Sequence, residues 1–462
     1  MRTIFISMDT VCADRWSSMG STKVATPNLD ALASSSATFT QTYASDIPTQ
    51  PSHTSLFTGR FGINTGIVSH FHPPAMLGED AAWLPTIFQQ QGHVTGAVDH
   101  LFSMKEWFIR GYDDYMVPPG RSRSPASVIN GLSFPWVEQH ADEDFFLFLH
   151  YWDAHIPYVP PEPFKSLYTG HLVDEVDPMA DWKIQSRPSY PLFKRNLYDH
   201  LERIPSLEYI EALHYAEVAY LDHELGNLFN HLADTGILDD TMVVIFGDHG
   251  EVMTEHDAWF DHAGLYDSVV HVPLLIRAPG LVQPGRHDAL VQLVDVMPTV
   301  LELQGFSGAE GTERLDGRSL VPLIQGRATE HRDAVFLSES TWQAKRGIRT
   351  PDWKYISCWD PGIYPRCEPE LYDLRTDPTE QTNLAASRPD VAAELDARLS
   401  VWMRDQLGEA PDPMEEVVEF GLPAVARLES VIKEDMEAEE LGDIIDLREI
   451  GGPRVGAALV QD

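Results

Sequence analysis

The run Phe145–Tyr151, Phe-Phe-Leu-Phe-Leu-His-Tyr, limits the fold more than any other stretch of this chain. It shows no alternation of polar and apolar residues. A strand of that kind has no face to offer to water, so it belongs inside a sheet covered on both sides. Thr3–Met8 and Met242–Phe246 have the same character. Such sheets are built from parallel strands joined by helices. Helical patterns stand at Pro27–Ser36, with Leu29 and Leu32 inward, at Leu84–Gln91 and at Ser206–Leu232, and Val94–Asp99 reads as a further strand. The expected fold is α/β, with a doubly wound, mixed but mostly parallel sheet.

Open α/β sheets bind ligands beyond the carboxyl ends of their strands, so the residues that follow each strand carry the chemistry. Thr3–Met8 ends in Asp9-Thr10, and Met242–Phe246 in Gly247-Asp248-His249-Gly250-Glu251. A carboxylate followed by an imidazole offers one hard and one borderline ligand to a divalent ion. Gly247 and Gly250 let other backbone approach closely. Phe145–Tyr151 runs into Trp152-Asp153-Ala154-His155-Ile156-Pro157-Tyr158. In Asp46–Arg60, Pro48 and Pro51 flank Thr49-Gln50, and Pro51 suits the first turn of a helix that stops at Gly59. Thr49 then stands just ahead of a helix N-terminus. It is either a cap or a nucleophile beside a bound anion.

With 71 acidic against 33 basic residues the formal net charge is −38. That repels phosphate backbones and argues against a nucleic-acid partner. No apolar run is long enough for a bilayer, and residues 1–8 lack a signal-peptide layout, so a soluble cytoplasmic protein is expected. Cys12, Cys358 and Cys367 cannot form a disulfide framework; Cys358 and Cys367 could pair, but reduced thiols are expected. His70 and His72 read as a solvated loop pair, Asp222-His223 as helix surface, and residues 160–205 as an irregular, substrate-shaping insertion.

Taken together, the Asp46–Arg60 stretch and the Gly247–Glu251 segment resemble the sulfatase family of the alkaline phosphatase superfamily. Pro51, Ser52, Leu56, Thr58, Gly59 and Arg60 fit its nucleophile signature. Thr49 departs from the family's Cys or Ser, which is oxidised to formylglycine, and His53 departs from its Arg. The resemblance implies one divalent ion held by Asp9, Asp248, His249 and the Thr49 oxygen, with Thr10 in place of a second Asp. It implies catalytic or substrate roles for His155 and His262, with His256 a less certain candidate. His53 would touch nucleophile and anion as imidazolium, or bind a second metal as imidazole. His271 reads as structural. Val291–Leu303 and Asp316–Leu320 match late landmarks of the family's first domain. The implied domains are a catalytic α/β domain over 1–330, an antiparallel sheet plus helix over 331–409, and an acidic arm over 410–462. That arm would pack on its own chain or on a neighbouring copy in a homo-oligomer.

A Thr cannot become formylglycine. The expected activity is therefore metal-dependent hydrolysis of a small phosphate or phosphonate ester through phospho-Thr49. Sulfate-ester hydrolysis without formylglycine is the alternative, and a non-catalytic binding or assembly protein is a third reading. Imidazole is a poor calcium ligand, so Mn²⁺ or Zn²⁺ is favoured over Ca²⁺.

Overall fold

A computed structural model describes residues 1–438 apart from 175, 202, 203, 307 and 365. The expected arm therefore lies outside the described residues from 439 onward. At the centre of a nine-stranded sheet, Arg2–Met8 pairs in parallel with Phe145–Tyr151 on one side and Thr241–Gly247 on the other. The sheet continues past Phe145–Tyr151 to Val94–Val98 and Asp114–Met116. Past Thr241–Gly247 it continues to His271–Arg277, Ala37–Tyr43 and Val291–Gln292, with Gly285–His287 also on Ala37–Tyr43. His271–Arg277 is antiparallel to both neighbours, which makes the sheet mixed.

Every residue of Phe145–Tyr151 and Thr241–Gly247 is buried. Alternate side chains enter two separate cores: Phe5, Phe146, Phe148 and Phe246 on one face, Ile4, Leu147, Leu149 and Ile245 on the other. Each contributes roughly 1.5–3 kcal/mol by burial. Ala37–Tyr43 escapes the sequence reading because three of its seven residues are Thr and no long apolar run marks it.

Leu207–Asp234 covers the second face, its first turn capped by Ser206 Oγ, which accepts from Tyr209 N at 3.2 Å. Asp222 on this helix is not surface as expected. It is buried and accepts from Asn28 N, Asn28 Nδ2 and Leu29 N, which satisfies free N–H groups at the start of the helix Pro27–Ala33. His223 is exposed. Residues 160–205 form short helices at Phe164–Thr169, Ala180–Gln185 and Tyr190–Asn196 instead of an irregular loop.

The C-terminal part is an antiparallel sheet of Val335–Glu339, Ala344–Arg349, Trp353–Asp360 and Glu370–Asp373. Against it packs the helix Pro389–Leu407, through Leu395 and Leu399. Asp46–Ile47 adds in parallel to Val335–Glu339, so the segment leading into Thr49 is strapped to this second sheet. Cys358 and Cys367 are joined as a disulfide, contrary to the reduced thiols expected; the hairpin end brings their Cα atoms to 5.1 Å. The arm folds back as the helices Pro413–Phe420 and Pro423–Ala438. Met414, Val417, Leu422 and Leu428 join the main core, and Arg346 donates to Asp412 at 2.6 Å. Among the described residues no helix is long and apolar enough to cross a membrane.

Candidate active site at the strand ends

The helix Thr49–Thr58 stops at Gly59, whose φ of 62° favours glycine. Its position is fixed by Asp46 Oδ2, which accepts from Ser45 Oγ, Ser55 Oγ and Gly62 N at 2.8, 2.9 and 3.0 Å. Thr49 is the first helical residue and does not precede the helix. In its first turn Gln50 N donates to His70 Nδ1 at 3.3 Å, Ser52 N donates to Pro48 O at 3.0 Å, and Pro51 has no N–H to offer. The helix end is thus less open to an anion than the sequence implies. His70 and His72 also depart from the solvated pair expected: His70 lines the cavity above Thr49, and His72 is buried.

Four of the sequence candidates converge. Ligand atoms of Asp9, Asp248 and His249 lie within 4.8 Å of one another, all fully buried. His249 Nδ1 bonds to Gly250 O at 3.0 Å as donor, leaving a lone pair on Nε2 that accepts from Thr49 Oγ1 at 3.0 Å. Asp248 Oδ1 accepts from Thr10 N and His249 N at 3.2 and 2.8 Å. Asp248 Oδ2 and Asp9 Oδ1 accept nothing, although both are buried. Thr10 turns its hydroxyl onto Asp9 O at 2.8 Å and so offers the site its N–H in place of an oxygen ligand. The two glycines are needed for close approach: a Cβ on Gly247 would sit 2.2 Å from Val11 O, and one on Gly250 2.2 Å from Ser268 O.

Two buried carboxylates this close repel. Burial, then the charge of Asp248, pushes Asp9 well above the usual carboxylate range, and burial takes Asp248 up to about 6. Orphaned oxygens with an imidazole lone pair between them are a donor set suited to one divalent cation. The residues present fit such an ion.

Behind Asp9 lies a chain that sequence reasoning missed. His150 Nε2 is 3.1 Å from Asp9 Oδ2, and His150 Nδ1 is 2.8 Å from Asp99 Oδ1. Asp99 in turn accepts from Tyr115 OH and Leu101 N. His150 reads as one more residue of a buried strand, so only its register beside Ser7 discloses it.

His53 sits beneath this centre, under the first turn of the Thr49–Thr58 helix. Its Nδ1 donates to Thr49 O at 2.8 Å, and its Nε2 accepts from Ser7 Oγ at 2.9 Å. Burial lowers it to about 4, which favours imidazole over imidazolium of the two states considered. Its atoms, with those of His150 and Asp248, form a second close group.

Above Thr49 opens a cavity of about 570 Å³. His155 and His262 stand in its wall with ring centres 5.7 Å apart, and His262 is 4.8 Å from His249. His155 Nδ1 donates to Ile156 O at 2.8 Å, leaving Nε2 free to meet substrate. Burial holds His155 at about 4 and His262 well below its usual value. Trp152, Trp259 and Trp342 supply flat apolar walls, Leu192 and Asn196 come from the 160–205 insertion, and Phe420 and Arg427 come from the arm. His256 is elsewhere, stacked on Tyr266 at 3.6 Å beside a different cavity, and His271 bonds Thr40 O at 2.8 Å as expected of a structural residue.

Residues 2–306 match the family model described as Sulfatase, and residues 254–405 that described as N-sulphoglucosamine sulphohydrolase, C-terminal. Choline-sulfatase of Rhizobium meliloti (strain 1021) is 29% identical over 341 residues, covering 70% of this chain and 61% of that protein. Arylsulfatase K of Gallus gallus is 31% identical over 292 residues, covering 59% of this chain and 50% of that protein. The chain thus spans about half to three-fifths of these relatives' length. In fold it resembles the phosphonate monoester hydrolase of Agrobacterium radiobacter (TM-score 0.72, 21% identity, 88% of this chain and 95% of that one). It is also similar to BT4656, solved with its substrate D-glucosamine-2-N,6-O-disulfate (TM-score 0.73, 20% identity, 89% and 99% covered).

Proposed function

The chain belongs to the sulfatase family, and on that footing we propose that it hydrolyses a sulfate monoester, with Thr49 as the attacking residue. The observation that carries this reading is the Thr49 hydroxyl, 3.0 Å from His249 Nε2 at the floor of the cavity, beside two carboxylate oxygens without partners. Asp9, Asp248, His249 and Thr49 Oγ1 would hold one divalent cation, and its imidazole ligand favours Mn²⁺ or Zn²⁺ over Ca²⁺. Such an ion makes a neighbouring hydroxyl more acidic and draws charge from an oxyanion.

The protein's own groups do the rest. Thr49 Oγ1, its proton released to solvent, bonds to the central atom of the ester while the bond to the leaving oxygen breaks. His155 or His262 gives that oxygen a proton, because an anion in the cavity offsets the burial that otherwise keeps both rings neutral. Water then attacks the same centre and frees Thr49. Trp152 and Trp342 keep bulk water from the reacting atoms. His53 holds the Thr49 carbonyl and so orients the first helical turn.

A phosphate or phosphonate ester is the second reading, and Thr49 itself favours it. A β-branched alcohol has no route to formylglycine, and a Thr ester must be released by attack at sulfur or phosphorus. Water resolves a phosphorylated Thr by that route, whereas the elimination open to a sulfated aldehyde hydrate is closed. The deciding experiment is a panel of nitrophenyl sulfate, phosphate mono- and diesters and phenylphosphonate, each with Mn²⁺, Zn²⁺ and Ca²⁺. Turnover of the sulfate above the others upholds the first reading, preference for phosphorus esters the second. No turnover with any ester and metal would leave the non-catalytic reading standing.

A further inference from the structure

The cavity wall carries an electrostatic feature that hydrolysis of a simple ester does not use. Its charged lining among the described residues is Arg121, Arg427 and Asp261. Burial raises Asp261 to about 8, so at neutral pH it is mostly uncharged and the lining is net cationic. This is unusual company in a chain of net charge −38. Elsewhere arginines such as Arg277, Arg332 and Arg346 sit within 4.0 Å of a carboxylate. Neither Arg121 nor Arg427 has an ion pair among the described residues, and both are exposed to the cavity.

Arg427 is also held in place. It rides on the helix Pro423–Ala438, anchored by burial of Val425 and Leu428 and by Ala424 N, which donates to Thr341 O at 3.1 Å. Among the described residues its one side-chain hydrogen bond, Nη2 to Asn196 Oδ1, is long at 3.4 Å, so the guanidinium keeps most of its donors for a ligand. At about 570 Å³ the cavity is far larger than the tetrahedral anion that Thr49 would attack, and leaves room for a leaving group reaching the rim.

From these placements we infer that Arg427 forms a second anion subsite in the cavity wall, and that the substrate is an ester whose leaving group ends in a carboxylate or a second sulfate. The inference rests on the hydrolase reading above. It makes the C-terminal arm a specificity element, since the arm supplies Arg427 and Phe420 to the wall. The aromatic walls hold the body of the leaving group between the two anions, and the guanidinium fixes its far end.

The test compares phenyl sulfate with 4-(carboxymethyl)phenyl sulfate, or the corresponding phosphates if those are the better substrates. The full chain should show a KM about tenfold lower for the carboxylated ester, the range expected of one charge-assisted hydrogen bond. In Arg427→Ala the ratio of the two KM values should fall toward one, and Arg427→Lys should keep part of it. Equal KM values in the parent protein, or an unchanged ratio in Arg427→Ala, would overturn the subsite. Failure of both esters would count against the hydrolase reading instead. Calorimetry then decides, with benzylphosphonate and 4-carboxybenzylphosphonate, whose C–P bond is not cleaved. Tighter binding of the carboxylated compound, lost in Arg427→Ala, supports the subsite. Equal binding of the two, or none by either, refutes it.

Discussion

Asp248 and Asp295 are both carboxylates without solvent exposure, and the fold treats them in opposite ways. Asp295 is saturated. It accepts from Gln292 N at 2.9 Å, Arg318 N at 2.8 Å and Arg332 Nε at 3.0 Å, with Arg332 Nη2 on its other oxygen and His331 Nε2 3.2 Å away. Burial alone would raise it, but Arg332 and His331 overcome that and hold it far below the usual carboxylate range. Asp248 has two backbone N–H groups on one oxygen, nothing on the other, and Asp9 as its neighbour. Asp295 is a finished joint that ties the Val296–Gln304 helix to the loop at Arg332. Asp248 has no Arg or Lys on either oxygen among the described residues. Burial alone does not mark a functional carboxylate; the count of positive partners does.

The largest effect separates chemistry from stability. Thr49→Ala should lower kcat at least ~10³-fold, while melting shifts little, because among the described residues the hydroxyl bonds only His249. Thr49→Ser should keep substantial turnover. Parent-level turnover by the Ala variant would remove Thr49 from the mechanism.

Next come the two carboxylates themselves. Asp295→Ala leaves the buried Arg332 without its anion and should destabilise by about 3–5 kcal/mol in denaturant unfolding, with metal content of the folded fraction unchanged. Asp248→Ala should do the reverse: metal content falls on elemental analysis, and the variant melts no lower than the parent stripped of metal. If both variants lost stability equally, the contrast drawn between the two carboxylates would collapse.

A smaller effect tests the chain behind Asp9. His150→Gln or Asp99→Asn should weaken metal binding about 10–100-fold in chelator competition, as loss of a group that orients a ligand does. Unchanged affinity in both would reduce that chain to packing.

The smallest effect is in pH. Asp9 and Asp248 must give up their protons to bind a cation, and burial raises both, so affinity should weaken as the pH falls, by about tenfold per pH unit for each proton displaced. Asp295 acts with the other sign. Its folded value lies below the unfolded one, so its stabilisation is present above about pH 4 and fades only as the pH falls through the depressed value. A metal affinity flat from pH 5 to 8 would contradict the first half.

Much of the fold is local and therefore legible. Apolar runs without alternation give the central strands, Gly59 ends its helix at positive φ, and Glu370–Asp373 announces the last strand of the small sheet. Asp9, Thr49, Asp248 and His249 stand out in the sequence as polar groups at strand ends or a helix start, and the resemblance to the sulfatase family is what gathers them into one expected site. His150 and Asp99 could not be singled out, since a polar residue inside a buried strand gains its meaning from the neighbour across the sheet. His70 was misread because nothing local tells that Gln50 N lies within its reach.

The sequence by itself determined which residues enter the core and which polar groups end the strands, since hydrophobic periodicity and turn chemistry act over a few residues. Only the tertiary structure decided which carboxylates are neutralised, which histidines are locked at both nitrogens, and that an arm from beyond residue 410 walls the cavity over Thr49. Charge balance in a buried site is a sum over groups far apart in the chain, and no local pattern carries that sum.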